Sequence, residues 1–138
     1  MPTARPLVLD THVFLWLLAG HPALPGETRD AMAAAARRGD LLVPAIVPWE
    51  IAMLAARGRI ALAEPAAEFI AHGLDLPGIR LAPLTPEVAV EAVALPGGFH
   101  KDPADRMIVA TARVLGGTLV TFDQAILDWA AKGHVLTA

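Results

Sequence analysis

Pro6-Leu7-Val8-Leu9-Asp10 is a short apolar run that ends in a carboxylate. A continuous apolar run of this length is typical of a parallel strand that is covered on both faces. An ionised side chain at the end of a buried strand needs partners, because burying an unpaired charge is very costly. We therefore predict a central strand at residues 6–10 and a functional role for Asp10.

Outward from this run, short apolar segments alternate with helical patterns. The predicted strands are residues 6–10, 41–43, 79–82, 118–121 and 134–137, and the predicted helices are residues 11–19, 27–38, 48–57, 65–72, 86–95, 103–115 and 123–131. Such alternation indicates an α/β fold with a mainly parallel sheet, whose ligands bind beyond the carboxyl ends of the strands. No linker interrupts the pattern, so we expect a single domain over residues 1–138.

Composition excludes several classes of protein. The chain has 138 residues, is 55% hydrophobic and contains no cysteine, which excludes disulfide scaffolds, zinc–thiolate sites, iron–sulfur sites and cysteine nucleophiles. The longest apolar run, residues 13–19, is too short to span a membrane, and the first ten residues make a poor signal peptide. We expect a soluble, cytoplasmic protein with no membrane partner.

The net charge of −3 argues against a generic basic nucleic-acid binder, which needs Lys and Arg to offset phosphate charge. It does not argue against an enzyme that binds phosphate groups through metal ions.

Five of the fourteen acids fall near strand ends or helix starts. Asp10 and Asp123 follow predicted strands, Glu50 lies in the first turn of a predicted helix, and Asp102 and Asp105 begin the long helix at residues 103–115. Each of the last four has a plainer interpretation as a helix cap or a first-turn acid. Together, however, they would repel one another at one edge of the sheet unless a divalent cation offset the charge.

Oxygen ligands of this kind suit Mg²⁺ or Mn²⁺. The reaction that such a site supports is attack of water on a phosphodiester, assisted by the metal.

Four stretches in order resemble the PIN-domain nucleases, and most of all the VapC-type toxins of type II toxin–antitoxin systems. They are Leu9-Asp10-Thr11-His12, Trp49-Glu50-Ile51-Ala52, His100-Lys101-Asp102-Pro103-Ala104-Asp105-Arg106, and Val120-Thr121-Phe122-Asp123. The resemblance covers nearly the whole chain. It implies a three-layer α/β/α PIN-like sandwich with a mainly parallel central sheet, a Mg²⁺- or Mn²⁺-dependent endoribonuclease that cleaves RNA, and a VapB-like antitoxin as partner.

By motif position, the resemblance assigns catalysis and metal binding to four acids: Asp10, Glu50, Asp105 and Asp123. Asp10 and Asp105 would hold the principal metal ion. Four further residues are possible auxiliaries. Asp102 is an additional acid, Thr11 and Thr121 would orient carboxylates by hydrogen bonding, and Arg106 would contact either phosphate or a neighbouring acid. His12 and His100 flank the site, and we expect them to be structural hydrogen-bonding groups.

Several other classes fit less well. A phosphoacceptor receiver domain needs an acidic pair after its first strand, a haloacid-dehalogenase-type phosphatase needs a second Asp where this chain has His12, and a dinucleotide-binding fold needs a glycine-rich turn there. Two alternatives within the PIN class stay open. They are an RNA-processing nuclease without an antitoxin and a non-catalytic binding module.

The helix after the first strand is apolar nearly all round, from Val13 to Leu18, and Trp49, Met53 and Leu54 add bulk on a later helix. This is either ordinary core or surface that is shared with partners. We expect part of it to form a homodimer and part to receive an antitoxin segment.

Overall fold

The computed structural model describes residues 4–138, in which five strands form one fully parallel sheet. The strands are β1 (Leu7–Leu9), β2 (Leu41–Pro44), β3 (Ile79–Ala82), β4 (Thr118–Val120) and β5 (Leu136–Thr137), in the spatial order β3-β2-β1-β4-β5. Helices flank the sheet in the manner of a three-layer α/β/α sandwich. The prediction of an α/β fold with a mainly parallel sheet is confirmed.

The helices lie between successive strands along the chain. They are α1 (Thr11–Ala19), α2 (Gly26–Arg37), α3 (Ile46–Ala56), α4 (Ala66–Leu74), α5 (Pro86–Val93), α6 (Pro103–Leu115) and α7 (Gln124–Trp129), and a wider turn over Ala130–His134 follows α7. Among residues 4–138, no helix combines the length and the apolar character needed to cross a membrane.

The central strand β1 pairs with β2 on one side and with β4 on the other. All three of its residues are buried, as expected for a strand that is covered on both faces. Its register places Leu9 beside Val120, the last residue of β4. Because both strands run the same way, the residues that follow them leave the sheet at the same edge.

One boundary differs from the prediction in a way that matters for the site. Helix α3 begins at Ile46 rather than at Pro48, so Pro48 is its third residue. The first N–H groups of a helix have no partner within it, so a proline is tolerated there. Glu50 therefore lies beyond the first turn, and the interpretation of Glu50 as a first-turn acid does not apply.

Strand β3 approaches the end of α2 very closely at Gly78. This glycine has a φ of 81°, and a Cβ atom added to it would lie 1.8 Å from the carbonyl oxygen of Ala36. Neither the backbone conformation nor the space admits a side chain, so glycine is required at this contact between the edge strand and the helix layer.

We expect Gly78→Ala to lower the free energy of unfolding by about 3 kcal/mol or more, because the left-handed backbone and the clash both oppose it. Gly39→Ala is the matched control. Gly39 also has a positive φ, of 73°, but no atom lies within 4 Å of an added Cβ, so the cost there should be only about 1 kcal/mol. Urea unfolding of the two variants measures the difference, and equal losses would contradict the predicted clash.

Candidate functional site

The buried carboxylate Asp10 lies where β1 ends, and only 4% of the residue is exposed. Its Oδ1 accepts the N–H of Thr11 at 2.8 Å and so caps α1. Its Oδ2 accepts the hydroxyl of Thr121 at 2.7 Å. This is the orienting hydrogen bond predicted for Thr121, and it crosses from the end of β4 to the end of β1.

Glu50 is oriented by the other predicted threonine. The Thr11 hydroxyl donates to Glu50 Oε1 at 2.5 Å. Since Thr11 begins α1 and Glu50 lies in the second turn of α3, this bond ties the two helices together at the carboxyl edge of the sheet. The carboxylate of Glu50 is thereby held near Asp10.

Three acids come together in what we call the carboxylate cluster, namely Glu50, Asp102 and Asp105. Each offers a carboxylate oxygen, and these oxygens all lie within 4.8 Å of one another. Asp102 also accepts the N–H of Asp105 at 3.0 Å as the N-cap of α6. The capping interpretation and the functional one are therefore compatible, because Asp102 caps α6 while its carboxylate belongs to the cluster.

The cluster differs in one respect from the ligand set that the resemblance implied. Asp102, predicted as an auxiliary, lies in the tightest group of oxygens, and Asp10, predicted as a principal ligand, lies beside that group. The role of Asp10 as a ligand stays a prediction. Its charge nevertheless acts on the cluster, because it raises the pKa values of both Glu50 and Asp105.

Burial and repulsion make two acids of this cluster, Glu50 and Asp105, hard to ionise. Burial, followed by the negative charges of Asp10, Asp102, Glu50 and Asp123, raises the pKa of Asp105 from an ordinary 3.8 to about 8. Burial also raises the pKa of Glu50, and the hydrogen bond from Thr11 opposes this shift. A positive charge placed between these carboxyl groups would stabilise their ionised forms.

Asp123 acts on the cluster from the end of β4. Its Oδ1 accepts the N–H of Ile126 at 3.1 Å, so it caps α7 as the plainer interpretation of the sequence suggested. Its charge still contributes to the raised pKa of Asp105. Capping and participation in the acidic edge again occur together.

The two histidines serve as hydrogen-bonding groups within the site. His100 accepts the N–H of Asp102 at 3.3 Å through Nδ1, and its Nε2 lies 3.3 Å from Asp105 Oδ2. His12 accepts the N–H of Phe122 at 3.1 Å through Nε2, which leaves its Nδ1 facing Asp10 Oδ2 at 3.5 Å. Both rings therefore accept a backbone hydrogen bond and lie close to an acid of the site.

The Arg106 side chain contacts backbone carbonyl groups and an aromatic ring. Its guanidinium donates to the carbonyl oxygens of Ala92, at 3.1 Å, and Phe99, at 3.3 Å, and lies over the Phe99 ring. It thus fastens the segment between α5 and α6 instead of forming the ion pair with an acid that the sequence suggested. A phosphate contact by Arg106 stays a prediction.

The donor set of the carboxylate cluster consists of oxygen atoms alone. Hard divalent cations such as Mg²⁺ and Mn²⁺ prefer such ligands. A cation among Glu50, Asp102 and Asp105 would also offset the repulsion that raises the pKa of Asp105. The residues present therefore fit a divalent cation.

We expect Asp105→Asn to stabilise the metal-free protein at pH 8 by a few degrees in Tm. The folded state binds the Asp105 proton more tightly than the unfolded chain does. The stability that protonated Asp105 contributes is therefore fully present below pH 3.8 and is lost as the pH rises through about 8. The variant cannot ionise, so its advantage over the wild type should grow across that window.

Thermal unfolding in EDTA at several pH values measures this advantage. Asp30→Asn, which removes an exposed acid on α2, is the matched control and should follow the wild type. Parallel pH profiles for Asp105→Asn and the wild type would mean that Asp105 ionises normally.

Comparison with known proteins identifies the family of this chain. The model of the PIN domain family matches residues 7–132. Ribonuclease VapC22 from Mycobacterium tuberculosis is 39% identical over 121 residues, which are 87% of this chain and 88% of that relative.

Solved structures share the fold at lower identity. VapBC2 from Rickettsia felis, solved bound to a DNA fragment from its promoter, aligns with a TM-score of 0.69 and 14% identity over 96% of each chain. FitAcB from Neisseria gonorrhoeae aligns with a TM-score of 0.64 and 20% identity over 95% of each chain. At these identities the structures support the fold, while the family model and the mycobacterial relative carry the assignment. The chain belongs to the PIN domain family, in the group of the VapC ribonucleases.

Proposed function

We propose that this protein is a divalent-cation-dependent endoribonuclease and the toxin of a VapBC-type toxin–antitoxin pair, which hydrolyses RNA phosphodiesters in the cytoplasm. The observation that carries the proposal is the carboxylate cluster at the carboxyl edge of the sheet, with its oxygens within 4.8 Å of one another. The 39% identical relative named as a ribonuclease supports the same activity.

Five acids would share the work of holding Mg²⁺ or Mn²⁺. Glu50, Asp102 and Asp105 offer the closest oxygens, and Asp10 and Asp123 border them. When bound, the cation would polarise the scissile phosphate and lower the pKa of the attacking water.

Residues of the chain orient the carboxylates, and Asp105 changes its protonation when a cation binds. Thr121 and Thr11 fix the carboxylates of Asp10 and Glu50, so that these groups need little reorganisation to act as ligands. Asp105, whose pKa is about 8, carries a proton at neutral pH in the metal-free protein. That proton would be released when a cation binds, because ligand carboxylates must be ionised.

We expect purified protein to cleave structured RNA with Mg²⁺ or Mn²⁺ and to lose this activity in EDTA. Asp10→Asn should lower the rate by at least about 100-fold, because it removes a charge and an acceptor at the site. Gel analysis of labelled RNA measures the rate, and exposed Asp30→Asn is the matched control.

Equal cleavage by the wild type and Asp10→Asn would show that the activity comes from elsewhere. RNA binding without cleavage in Mg²⁺ or Mn²⁺ would instead favour the non-catalytic binding module.

We also propose a VapB-like antitoxin that docks on apolar surface beside this edge. In α1, Val13 and Phe14 are fully buried, so part of this apolar helix is core. Trp49, in contrast, is 57% exposed on α3, one residue before Glu50. An antitoxin segment over Trp49 would cover both the exposed ring and the acidic edge.

Co-expression with the product of an adjacent short reading frame should yield a stable complex that no longer cleaves RNA. Trp49→Ala should weaken this complex by roughly tenfold or more, since large aromatic residues dominate interfaces. Exposed Leu76→Ala, just after the end of α4, is the control. The absence of any small neighbouring reading frame would favour an RNA-processing nuclease without an antitoxin.

We propose that the homodimer forms through a surface that the sequence analysis did not single out. Val90 and Val93 are 69% and 82% exposed on α5. Residues three apart on a helix share a face, so the two valines form one apolar stripe. A sequence signal for this surface was present, because α5 carries apolar residues on all of its sides. Val88 and Ala92 are buried, which leaves Val90 and Val93 on the exposed side.

We expect a dimer by light scattering at micromolar concentration and a monomer for Val93→Glu, which places a charge in the apolar stripe. The control Asp30→Asn, an exposed acid on α2 away from this stripe in the sequence, should stay dimeric. A stable wild-type monomer at that concentration would contradict the dimer.

A further inference from the structure

Three aromatic rings form a row that begins at the acidic edge, and we call this row the ring ladder (Phe122, Trp16 and His21). Trp16 stacks on Phe122 with centroids 5.6 Å apart and on His21 with centroids 5.2 Å apart. The interplanar angles are 28° and 17°, so the three rings are close to parallel. The Trp16 and Phe122 rings are half-buried, and His21 is exposed.

The end of α1 holds His21 in this position. Gly20 adopts a left-handed conformation with φ 61°, and the His21 N–H donates to Trp16 O at 2.9 Å, which folds the chain back over the helix. The His21 ring is fixed further because its Nδ1 accepts the Ala23 N–H at 3.0 Å. An exposed ring is therefore ordered before any ligand arrives.

The inner end of the ladder touches the site. Phe122 directly precedes Asp123, and its N–H donates to His12, whose other nitrogen faces Asp10 at 3.5 Å. The outer end carries a cation, because exposed Arg29 donates to His21 O at 3.2 Å. The ladder thus leads from the carboxylates to a positive charge.

The charge of the protein limits how it can hold RNA. With a net charge of −3, general attraction to phosphates is weak. Unpaired bases can stack on aromatic side chains, and this mode of binding does not depend on net charge. Base-paired RNA hides the faces of its bases and cannot bind in this way.

We infer that the ring ladder is a stacking platform for an unpaired base of the RNA substrate near the scissile phosphate, with Arg29 placed for a neighbouring phosphate. This inference rests on the proposed ribonuclease function and adds to it a base-binding position, His21, outside the carboxylate cluster. The exposed face of His21 is where the base stacks.

The test measures binding of a short single-stranded RNA that contains 2-aminopurine, whose fluorescence falls when the base stacks. All proteins carry Asp10→Asn, which we expect to slow cleavage enough for binding to be measured, and the buffer contains EDTA. His21→Ala should weaken binding roughly tenfold and abolish the fluorescence change. His21→Phe, which keeps a flat ring, should retain both.

Exposed His72→Ala on α4 is the matched control and should bind like the parent. Equal affinity of His21→Ala and His72→Ala would overturn the inference, as would an equal loss of binding for duplex RNA of the same sequence. A weaker antitoxin complex with unchanged RNA binding would assign the ladder to the protein partner and overturn it also.

Cleavage assays on the otherwise unmodified protein keep the two proposals apart. If that protein cleaves RNA but His21→Ala binds normally, only the stacking platform fails. If it cleaves no RNA in Mg²⁺ or Mn²⁺, the proposed function itself fails, and the inference falls with it.

Discussion

The repulsion among carboxylates gathered at one edge of the sheet is the constraint on which the rest of the site depends. Parallel strands bring Asp10 and Asp123 to the same edge, the second turn of α3 adds Glu50, and the start of α6 adds Asp102 and Asp105. Burial of Asp10 and partial burial of Glu50, Asp105 and Asp123 prevent water from screening their charges fully. The surrounding hydrogen bonds hold groups together that would separate if they were free.

This constraint links stability to activity. Metal-free protein carries the cost of its acids, most clearly in the pKa of about 8 for Asp105. Helix caps offset part of the cost, since Asp10, Asp102 and Asp123 each accept a backbone N–H at a helix start. The same carboxylates can therefore stabilise local structure and serve as ligands, and neither role excludes the other.

Much of the fold could be predicted because its signals are local. The bounds of α6 follow from Asp102 as N-cap, Pro103 as first residue and Gly116 as C-cap, each acting within a single turn. The start of α3 was predicted two residues late, because proline is tolerated anywhere in the first turn and does not mark its first residue. The single domain over residues 1–138 stays a prediction.

The sequence by itself determined the elements, the parallel sheet and the set of acids near its carboxyl edge, because capping residues, apolar runs and strand direction are properties of neighbouring positions. Only the tertiary structure decided which acids come closest, that Thr11 holds Glu50, and that Thr121 holds Asp10. These bonds join residues 39 and 111 positions apart. Which residues form these bonds depends on how the helices pack and how the strands pair, and a local sequence pattern does not specify contacts over such separations.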